Sequence, residues 1–214
     1  MISAPVIPDR LNDAILEEAL AQAIDEGSDI EQLRFYGEAL PALEGEAMEF
    51  RGCVFERCSF NLEDAERLVF VDCVFDRCDM SSMNFYRSTF QRVEFFNCRM
   101  TGVQFSNGTV FNALFQDCQM DFANFSEIKA QHLSFQRCAM KESMFYKVNW
   151  MDWSWEDCNL TRAEFSHTLL KGMDVSACEI DGMITDLPNL RGLKVTAAQA
   201  LALSGLLGLV IRTD

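Results

Sequence analysis

The chain has 214 residues, with 33 acidic and 18 basic side chains and a formal net charge of −15. This charge disfavours a nucleic-acid-binding protein, which would be basic. The apolar fraction of 49% is that of a folded protein with a large core. No charged-then-apolar signal segment opens the chain, and the longest apolar run, 201–211, is too short to span a bilayer, so we expect a cytoplasmic protein that does not enter membranes.

Residues 1–47 are predicted to form a leader and an N-terminal helical cap. Pro5 and Pro8 indicate an extended lead-in over residues 1–8. Asp9 is a suitable N-cap for a helix that runs to about Glu26, and Gly27 follows it as a stop. Apolar residues fall on one face of this helix, so we expect it to cover the end of the core that follows.

Residues 48–195 repeat with a period of twenty. Seven cysteines mark the repeat without a slip, at positions 58, 78, 98, 118, 138, 158 and 178. A large apolar residue also falls at nearly every fifth position, and 15 of the 18 phenylalanines share this register. A period of five fits neither a helix nor a simple strand. It fits a chain that turns a corner every five residues, so that four sides close a coil and the coils stack about 4.8 Å apart.

All nine cysteines fall at the same position of the five-residue period, two places before a large apolar residue. Stacked cysteines would lie within disulfide range, but their number is odd, and buried cysteine behaves as a small hydrophobe. A zinc site would require clustered ligands at short spacings, often with histidine, and no histidine is close in sequence. We therefore expect reduced structural thiols, no metal and no cofactor.

The repeat has one visible irregularity. Glu63 and Ala65 occupy positions where a small apolar residue and a large residue belong. The length of the coil is unchanged and the register resumes at Leu68. We therefore expect a bulge or short loop at about 61–67.

Residues 196–214 are predicted to form a C-terminal helix and tail. Thr196 and Gln199 have the spacing of a capping box, which predicts a helix over about 197–207 with Gly208 as its stop. Because this helix is strongly apolar, we expect it to be buried against another chain.

The five-residue pattern resembles that of the pentapeptide-repeat proteins. In that pattern a small residue stands two places before a central Leu or Phe, as in the segments 53–57, 118–122, 123–127 and 163–167. The resemblance implies an all-β solenoid, a right-handed quadrilateral β-helix, with capping helices at both ends. The central residue of each five would point inward.

The closing segment 190–209 resembles the C-terminal module of the quinolone-resistance (Qnr-type) pentapeptide proteins and their Gram-positive relatives. The resemblance implies a non-enzymatic DNA mimic that binds type II topoisomerase, either DNA gyrase or topoisomerase IV, and modulates quinolone sensitivity. In that group the module forms a tail-to-tail homodimer, which here implies an interface made by Leu201, Leu203, Leu206, Leu207, Leu209 and Ile211. Some members that protect topoisomerase from quinolones have long projecting loops, which are insertions that break the twenty-residue register. The register here is unbroken from Cys58 to Cys178, so we expect no long loop to project from the coil.

The acidic residues are unevenly distributed. Residues 1–49 hold 12 acids and 2 bases, whereas residues 50–195 hold 20 acids and 15 bases. A DNA duplex about 35 Å long would carry roughly twenty charges, so the excess of 5 acids in the coil falls short of whole-rod mimicry. In register, one side of the coil and its leading corner gather nine acids against four bases. We expect a partner to bind there, at Asp117, Asp152, Glu156, Asp157 and Asp174.

Other interpretations remain open. Acidic residues also keep a repeat rod soluble and prevent end-to-end stacking, and the chain would then be a structural scaffold for another protein partner. A second interface is indicated by apolar residues at outward positions, which are Phe96, Phe111, Leu114, Phe122, Met144 and Met151. We expect no enzyme, since His132 and His167 fall on different sides and no nucleophile motif or glycine-rich phosphate loop is present.

Overall fold

A computed structural model describes residues 2–40, 47–60, 67–209 and 212. The described part of the chain is a parallel β-solenoid whose ten strands form one sheet. The strands are β1 (Asn12–Asp13), β2 (Ile30–Glu31), β3 (Leu33–Tyr36), β4 (Glu49–Arg51), β5 (Val54–Glu56), β6 (Val69–Asp76), β7 (Thr89–Phe96), β8 (Thr109–Gln116), β9 (Lys129–Gln136) and β10 (Asn149–Glu156). The helices are α1 (Leu16–Glu26) and α2 (Ala197–Leu203), with 3-10 turns at Leu187–Leu190 and Ser204–Leu207.

Each full coil has four sides of five residues, as predicted. In the coil 68–87 these sides are 68–72, 73–77, 78–82 and 83–87, and we call them the first to fourth sides throughout the solenoid. The long strands β6 to β10 cover the first and second sides. The third and fourth sides are joined by isolated bridges between successive coils. From β2 onward every strand pairing joins residues twenty apart, so equivalent positions form columns along the axis.

The corners between sides are residues in the left-handed backbone conformation. The angle φ is 55° at Asp72, 52° at Arg92, 54° at Asn112 and 55° at Asp117. Glycine adopts this conformation without strain, and asparagine and aspartate tolerate it better than most other residues do. This conformation favours the Asp, Asn and Gly residues found at many of these fifth positions, although arginine also occupies several of them, as at Arg77 and Arg92.

Stacked aromatic rings fill the second side. Successive ring centroids are 4.8 Å apart for Phe55 and Phe75, for Phe75 and Phe95, and for Phe95 and Phe115. This distance equals the spacing of paired strands, so each ring lies directly over the ring of the preceding coil. Trp155 continues the stack, 4.5 Å from Phe135.

All nine cysteines are buried, as their repeat positions predict. Seven of the thiols donate hydrogen bonds to carbonyl groups of the preceding coil, for example from Cys78 to Phe55 at 3.3 Å and from Cys98 to Phe75 at 3.5 Å. The adjacent thiol of Cys58, together with burial, raises the pKa of Cys78 to about 12. A thiol with this pKa is protonated at neutral pH and packs as a neutral side chain.

The N-terminal cap differs from the predicted helix, because α1 begins at Leu16. The predicted N-cap at Asp9 is wrong, since Ile15 occupies the N-cap position without a capping side chain. The segment before it is extended because β1 pairs with β3, and this tertiary pairing overrides the local capping signal. Gly27 ends the helix in the left-handed conformation, as predicted. The irregularity predicted at 61–67 lies, apart from Arg67, outside the described residues.

Candidate protein-binding surfaces

The predicted partner-binding carboxylates share one long surface of the solenoid. We call it the acidic side, and it consists of residues 72–77 and their equivalents every twenty residues up to 172–177. Asp152, Glu156 and Asp157 lie on one coil, and Asp174 lies on the next coil. Asp117 lies two coils before Asp157 in the same column. The fold therefore aligns these residues on one side, as the sequence register predicts.

Ion pairs neutralise several carboxylates of the acidic side. Asp72 accepts two hydrogen bonds from the Arg92 guanidinium at 2.6 Å, and Asp117 accepts two from Arg137 at 2.8 Å. These hydrogen bonds lower the pKa of the Asp72 and Asp117 carboxyl groups. Because its charge is paired with an arginine on the next coil, Asp117 offers a partner less negative potential than the sequence alone suggests.

Four carboxylates lie near the C-terminal end, and we call them the C-terminal acidic group: Asp152, Glu156, Asp157 and Asp174. All four are exposed. Among the described residues, neither Glu156 nor Asp157 makes a salt bridge within 4.0 Å. Asp152 lies 2.8 Å from His132 Nδ1, and this hydrogen bond lowers the pKa of the carboxyl group.

Asp174 has a local partner in the same turn. Its Oδ1 accepts hydrogen bonds from the Ser176 hydroxyl at 2.6 Å and from the Ser176 main-chain N–H at 3.1 Å. These bonds lower the pKa of Asp174, so its carboxyl group is ionised at neutral pH. The nearest described cation is Lys194 Nζ, at 4.0 Å.

The middle of the acidic side is largely uncharged. Its outward positions between the two acidic ends are occupied by Phe96, Leu114, Gln116, Ser134 and Gln136. Glu94 stands beside them, and burial raises the pKa of its carboxyl group. Apart from Glu94 and Asp117, which is paired with Arg137, the acidic residues therefore form two groups, one at each end, rather than a continuous stripe.

Helix α2 closes the C-terminal end of the solenoid. Thr196 and Gln199 form the predicted capping box, with the Thr196 hydroxyl accepting from Gln199 N at 3.2 Å and Gln199 Oε1 accepting from Thr196 N at 2.8 Å. The Gln199 side-chain amide also donates to the carbonyl groups of Val175 and Cys178, at 2.9 and 2.8 Å. One side chain thus starts the helix and fastens it to the last coils.

An apolar surface surrounds this helix. Four of the predicted interface residues are exposed, with exposed fractions of 55% for Leu201, 37% for Leu206, 60% for Leu207 and 58% for Leu209. Leu203 is instead partly buried against the core, and Ile211 lies outside the described residues. The sequence reasoning missed Leu187 and Ile184, which are 44% and 49% exposed at the same end.

A groove of about 610 Å³ runs along this surface between helix α2 and the last coil. Its apolar walls include Leu190, Leu193, Leu203 and Leu207. Exposed apolar surface of this extent is typical of a protein–protein interface. We call the exposed leucines of α2 and this groove the C-terminal apolar surface.

The second predicted apolar interface is only partly exposed. Phe122, Met144 and Met151 are 55%, 40% and 56% exposed. Phe96, Phe111 and Leu114 are partly buried along the coil. Since these residues fall on different sides, the fold does not gather them into one patch.

The described residues hold no group of three or more His, Cys, Asp or Glu side chains that could bind a metal ion. The two histidines lie on different corners, where His132 contacts Asp152 and His167 Nδ1 lies 3.8 Å from Asp186. Within the described ranges, no helix is both long enough and apolar enough to cross a bilayer.

Residues 68–145 match the family model of the pentapeptide repeat region. No curated protein matches the chain. Among solved structures, full-length QnrB1, a plasmid-mediated fluoroquinolone resistance protein, is 16% identical over 92% of this chain and 95% of its own, with a TM-score of 0.43. A trypsin-treated QnrB1 variant is 19% identical over 87% and 92%, with a TM-score of 0.40. HetL, a pentapeptide repeat protein involved in heterocyst differentiation regulation in the cyanobacterium Nostoc, is 8% identical over 85% and 94%, with a TM-score of 0.34.

Two observations thus agree on the repeat. The family model covers the central coils, and the same twenty-residue register continues in the coils before and after it. Residues 68–145 of this chain are a pentapeptide-repeat region within a longer parallel β-solenoid.

Proposed function

We propose that this chain is a non-enzymatic, Qnr-like protein that binds type II topoisomerase, either DNA gyrase or topoisomerase IV, and modulates quinolone sensitivity. It acts as a cytoplasmic homodimer joined at the C-terminal apolar surface. The binding surface is the acidic side, and the C-terminal acidic group is its strongest part. The mechanism is partial DNA mimicry, in which carboxylates occupy cationic positions on the enzyme that otherwise contact DNA phosphates.

The observation that carries this proposal is the position of the C-terminal acidic group. Its four exposed carboxylates lie on the two coils that adjoin the end where the C-terminal apolar surface is found. A tail-to-tail dimer would place two such groups on either side of its centre. A duplex would place roughly six charges along the length of about 9.6 Å that two coils occupy, compared with the four carboxylates of one group. Pairing two groups in a dimer therefore extends an already dense charged surface across the dimer centre.

The dimer interface is supported by the exposed leucines of helix α2. Burial of apolar surface is worth about 25 cal/mol per Å² and drives most protein association. Leu201, Leu207 and Leu209 are each more than half exposed in the single chain. A second copy that covers them would remove this surface from water.

A charge-reversal experiment tests the binding surface. Asp152, Glu156, Asp157 and Asp174 are changed together to lysine, and binding to purified gyrase is measured by surface plasmon resonance. We expect at least a tenfold loss of affinity, because the four substitutions invert the charge of the group. The control changes four carboxylates of the third and fourth sides, Glu127, Glu142, Glu164 and Asp181, to lysine. Equal loss in both variants would contradict a defined acidic surface.

The uncharged middle of the acidic side favours a second function. Phe96 and Leu114 stand where a continuous DNA mimic would carry acids. A scaffold protein that binds some other protein partner does not require a continuous stripe of charge. If the chain is such a scaffold, the unmodified protein does not bind gyrase in this measurement. The two lysine variants then do not differ from each other in gyrase binding.

A further inference from the structure

The N-terminal leader lies along the corner between the first and second sides of the solenoid. The main-chain N–H of Ser3 donates to Asn112 Oδ1 at 3.2 Å, and that of Val6 donates to Asp72 Oδ1 at 3.0 Å. Both acceptors occupy the same corner column, two coils apart. We call residues 2–8 the strap.

The length of the strap matches the spacing of the coils. Two layers of paired strands span about 9.6 Å, and three extended residues, from Ser3 to Val6, span about 10 Å. An extended segment therefore brings the N–H groups of Ser3 and Val6 to corner side chains that lie two coils apart. The strap runs toward the N-terminal coils, where Pro8 lies over Gly52: a Cβ built on that glycine would stand 3.7 Å from Pro8 Cδ.

The two faces of the strap differ in exposure. Val6 is 71% exposed, whereas its neighbours Pro5 and Ile7 are partly buried. Beneath the strap, Val71 stands at an outward position beside Asp72 but is only 7% exposed. Met151, which occupies the same column four coils away, is 56% exposed. We attribute the burial of Val71 to the strap, because the strap contacts the adjoining corner residue.

The strap is held by contacts that a separate peptide could reproduce. Among the described residues, no hydrogen bond between two main-chain groups joins residues 2–8 to the coil. The strap's polar contacts are made by corner side chains that accept its N–H groups, and its apolar contacts come from one face of an extended segment. Its two prolines restrict the free segment and reduce the entropy lost on binding.

We propose that this corner is a binding groove for an extended, proline-containing apolar peptide, and that the strap is its resident intramolecular occupant. A partner segment of the same chemistry binds in place of the strap. The groove is formed by the corner side chains Asp72 and Asn112 and by the space over Gly52 and Val71. This function does not depend on topoisomerase binding.

The test uses the full-length protein and a fluorescent synthetic peptide of residues 2–9. Ile7→Asp places a charge on the buried face of the strap, and Val6→Asp places the same charge on its exposed face. We expect the labelled peptide to bind the Ile7→Asp protein at least ten times more tightly than the wild-type or Val6→Asp protein, as measured by fluorescence anisotropy. Equal binding to both variants would overturn the proposal.

Amide hydrogen exchange at residue 6 reports separately on the strap. The amide of Val6 should be protected in the wild-type protein and should exchange at least ten times faster in the Ile7→Asp protein. Unchanged protection would also overturn the proposal, because Ile7 would then not hold the strap in the groove.

A second pair of variants tests the groove itself. Asp72→Ala and Asp117→Ala each remove a corner aspartate that pairs with an arginine twenty residues later, but only Asp72 contacts the strap. In the Ile7→Asp background, Asp72→Ala should abolish peptide binding and Asp117→Ala should leave it unchanged. Loss in both variants, or in neither, would contradict the assigned groove.

Discussion

The corner residues of this solenoid have two roles. Each adopts the left-handed backbone conformation, and its side chain can contact the neighbouring coil. Asp72 illustrates both: its φ is 55°, and its carboxylate joins Arg92 on the next coil and Val6 of the strap. Aspartate suits the position because it tolerates this conformation and accepts several hydrogen bonds.

The Asp72–Arg92 pair predicts a pH-dependent contribution to stability. The pKa of Asp72 is lowered in the folded protein, so its stabilisation is fully present above the unfolded pKa of about 4 and is lost as the pH falls through the folded value. Asp72→Asn keeps the backbone conformation but removes the charge. At pH 7 we expect a loss of about 1 kcal/mol in the free energy of unfolding, since both side chains retain contact with water.

Urea unfolding of the wild-type and Asp72→Asn proteins at pH 7 and at pH 2.5 measures this effect. The difference between the two proteins should shrink at the lower pH. Asp157→Asn is the control, because Asp157 is an exposed corner aspartate without a salt bridge among the described residues, and it should have little effect at either pH. A difference for Asp72→Asn that is the same at both pH values would contradict the assigned ion pair.

Gly108 predicts a steric effect at a single position. A Cβ on this residue would lie 2.7 Å from the carbonyl oxygen of Ser88 and 2.9 Å from that of Phe105. Both are main-chain atoms of the coil and cannot move independently, so Gly108→Ala should destabilise the protein by about 1–3 kcal/mol. Gly205→Ala is the control, since nothing lies within 4 Å of its added Cβ. Thermal unfolding compares the two, and equal melting temperatures would rule out the close approach.

At the scale of single residues, inward and outward positions follow from the five-residue period, because the central side chain of each side and the small side chain two places before it both point inward. The burial of all nine cysteines is an example. The charge state of an outward residue does not follow, because it depends on the residue twenty positions later. Asp117 is prominent in the sequence, but Arg137 neutralises it in the fold.

The aromatic stack of the second side packs successive coils against one another. Phe115 lies 4.8 Å from Phe95 and 5.0 Å from Phe135, and it is fully buried. Phe115→Ala should cost about 3–5 kcal/mol, because it removes a ring from the middle of the stack and leaves a cavity.

Phe122→Ala is the matched substitution for this prediction. Phe122 is 55% exposed on a neighbouring coil corner, and its removal should change stability by no more than about 0.5 kcal/mol. Chemical denaturation measures both variants. Similar losses for Phe115→Ala and Phe122→Ala would show that the stack does not hold the coils together.

The ends of the solenoid were less predictable than its coils. The capping box of helix α2 is local in sequence, so Thr196 and Gln199 were sufficient to place it. The start of helix α1 depends on the pairing of β1 with β3, which the local sequence does not encode. The contacts of the strap could not be predicted from the sequence for the same reason, since its partners Asp72 and Asn112 are more than sixty residues away.

The whole molecule is predicted to be a dimer whose interface lies at one end of the rod. Leu207→Glu introduces a charge at a leucine that is 60% exposed on the C-terminal apolar surface. We expect light scattering to give a dimer for the wild-type protein and a monomer for this variant. Met144→Glu, on the fourth side, alters a residue that is 40% exposed and should leave the dimer intact. A wild-type monomer at micromolar concentration would contradict the proposed assembly.

At this scale the sequence predicts the rod and the side on which acids gather, because the twenty-residue period aligns distant residues into columns. It does not predict the division of the acidic side into two groups as a functional surface. That division depends on which carboxylates have arginine partners on adjoining coils. The sequence register already gathers the four residues of the C-terminal acidic group. The structure adds that, among the described residues, Glu156 and Asp157 make no salt bridge, whereas Asp72 and Asp117 are paired with arginines.

The most direct test of the proposed function is a DNA supercoiling assay with gyrase, in which the purified protein is titrated with and without a fluoroquinolone. We expect supercoiling to change at micromolar dimer: recovery of drug-inhibited activity indicates protection, and inhibition without drug indicates competition with DNA. The variant with lysine at residues 152, 156, 157 and 174 should have no such effect. Unchanged supercoiling with the wild-type protein under both conditions would contradict topoisomerase binding and leave the scaffold function in its place.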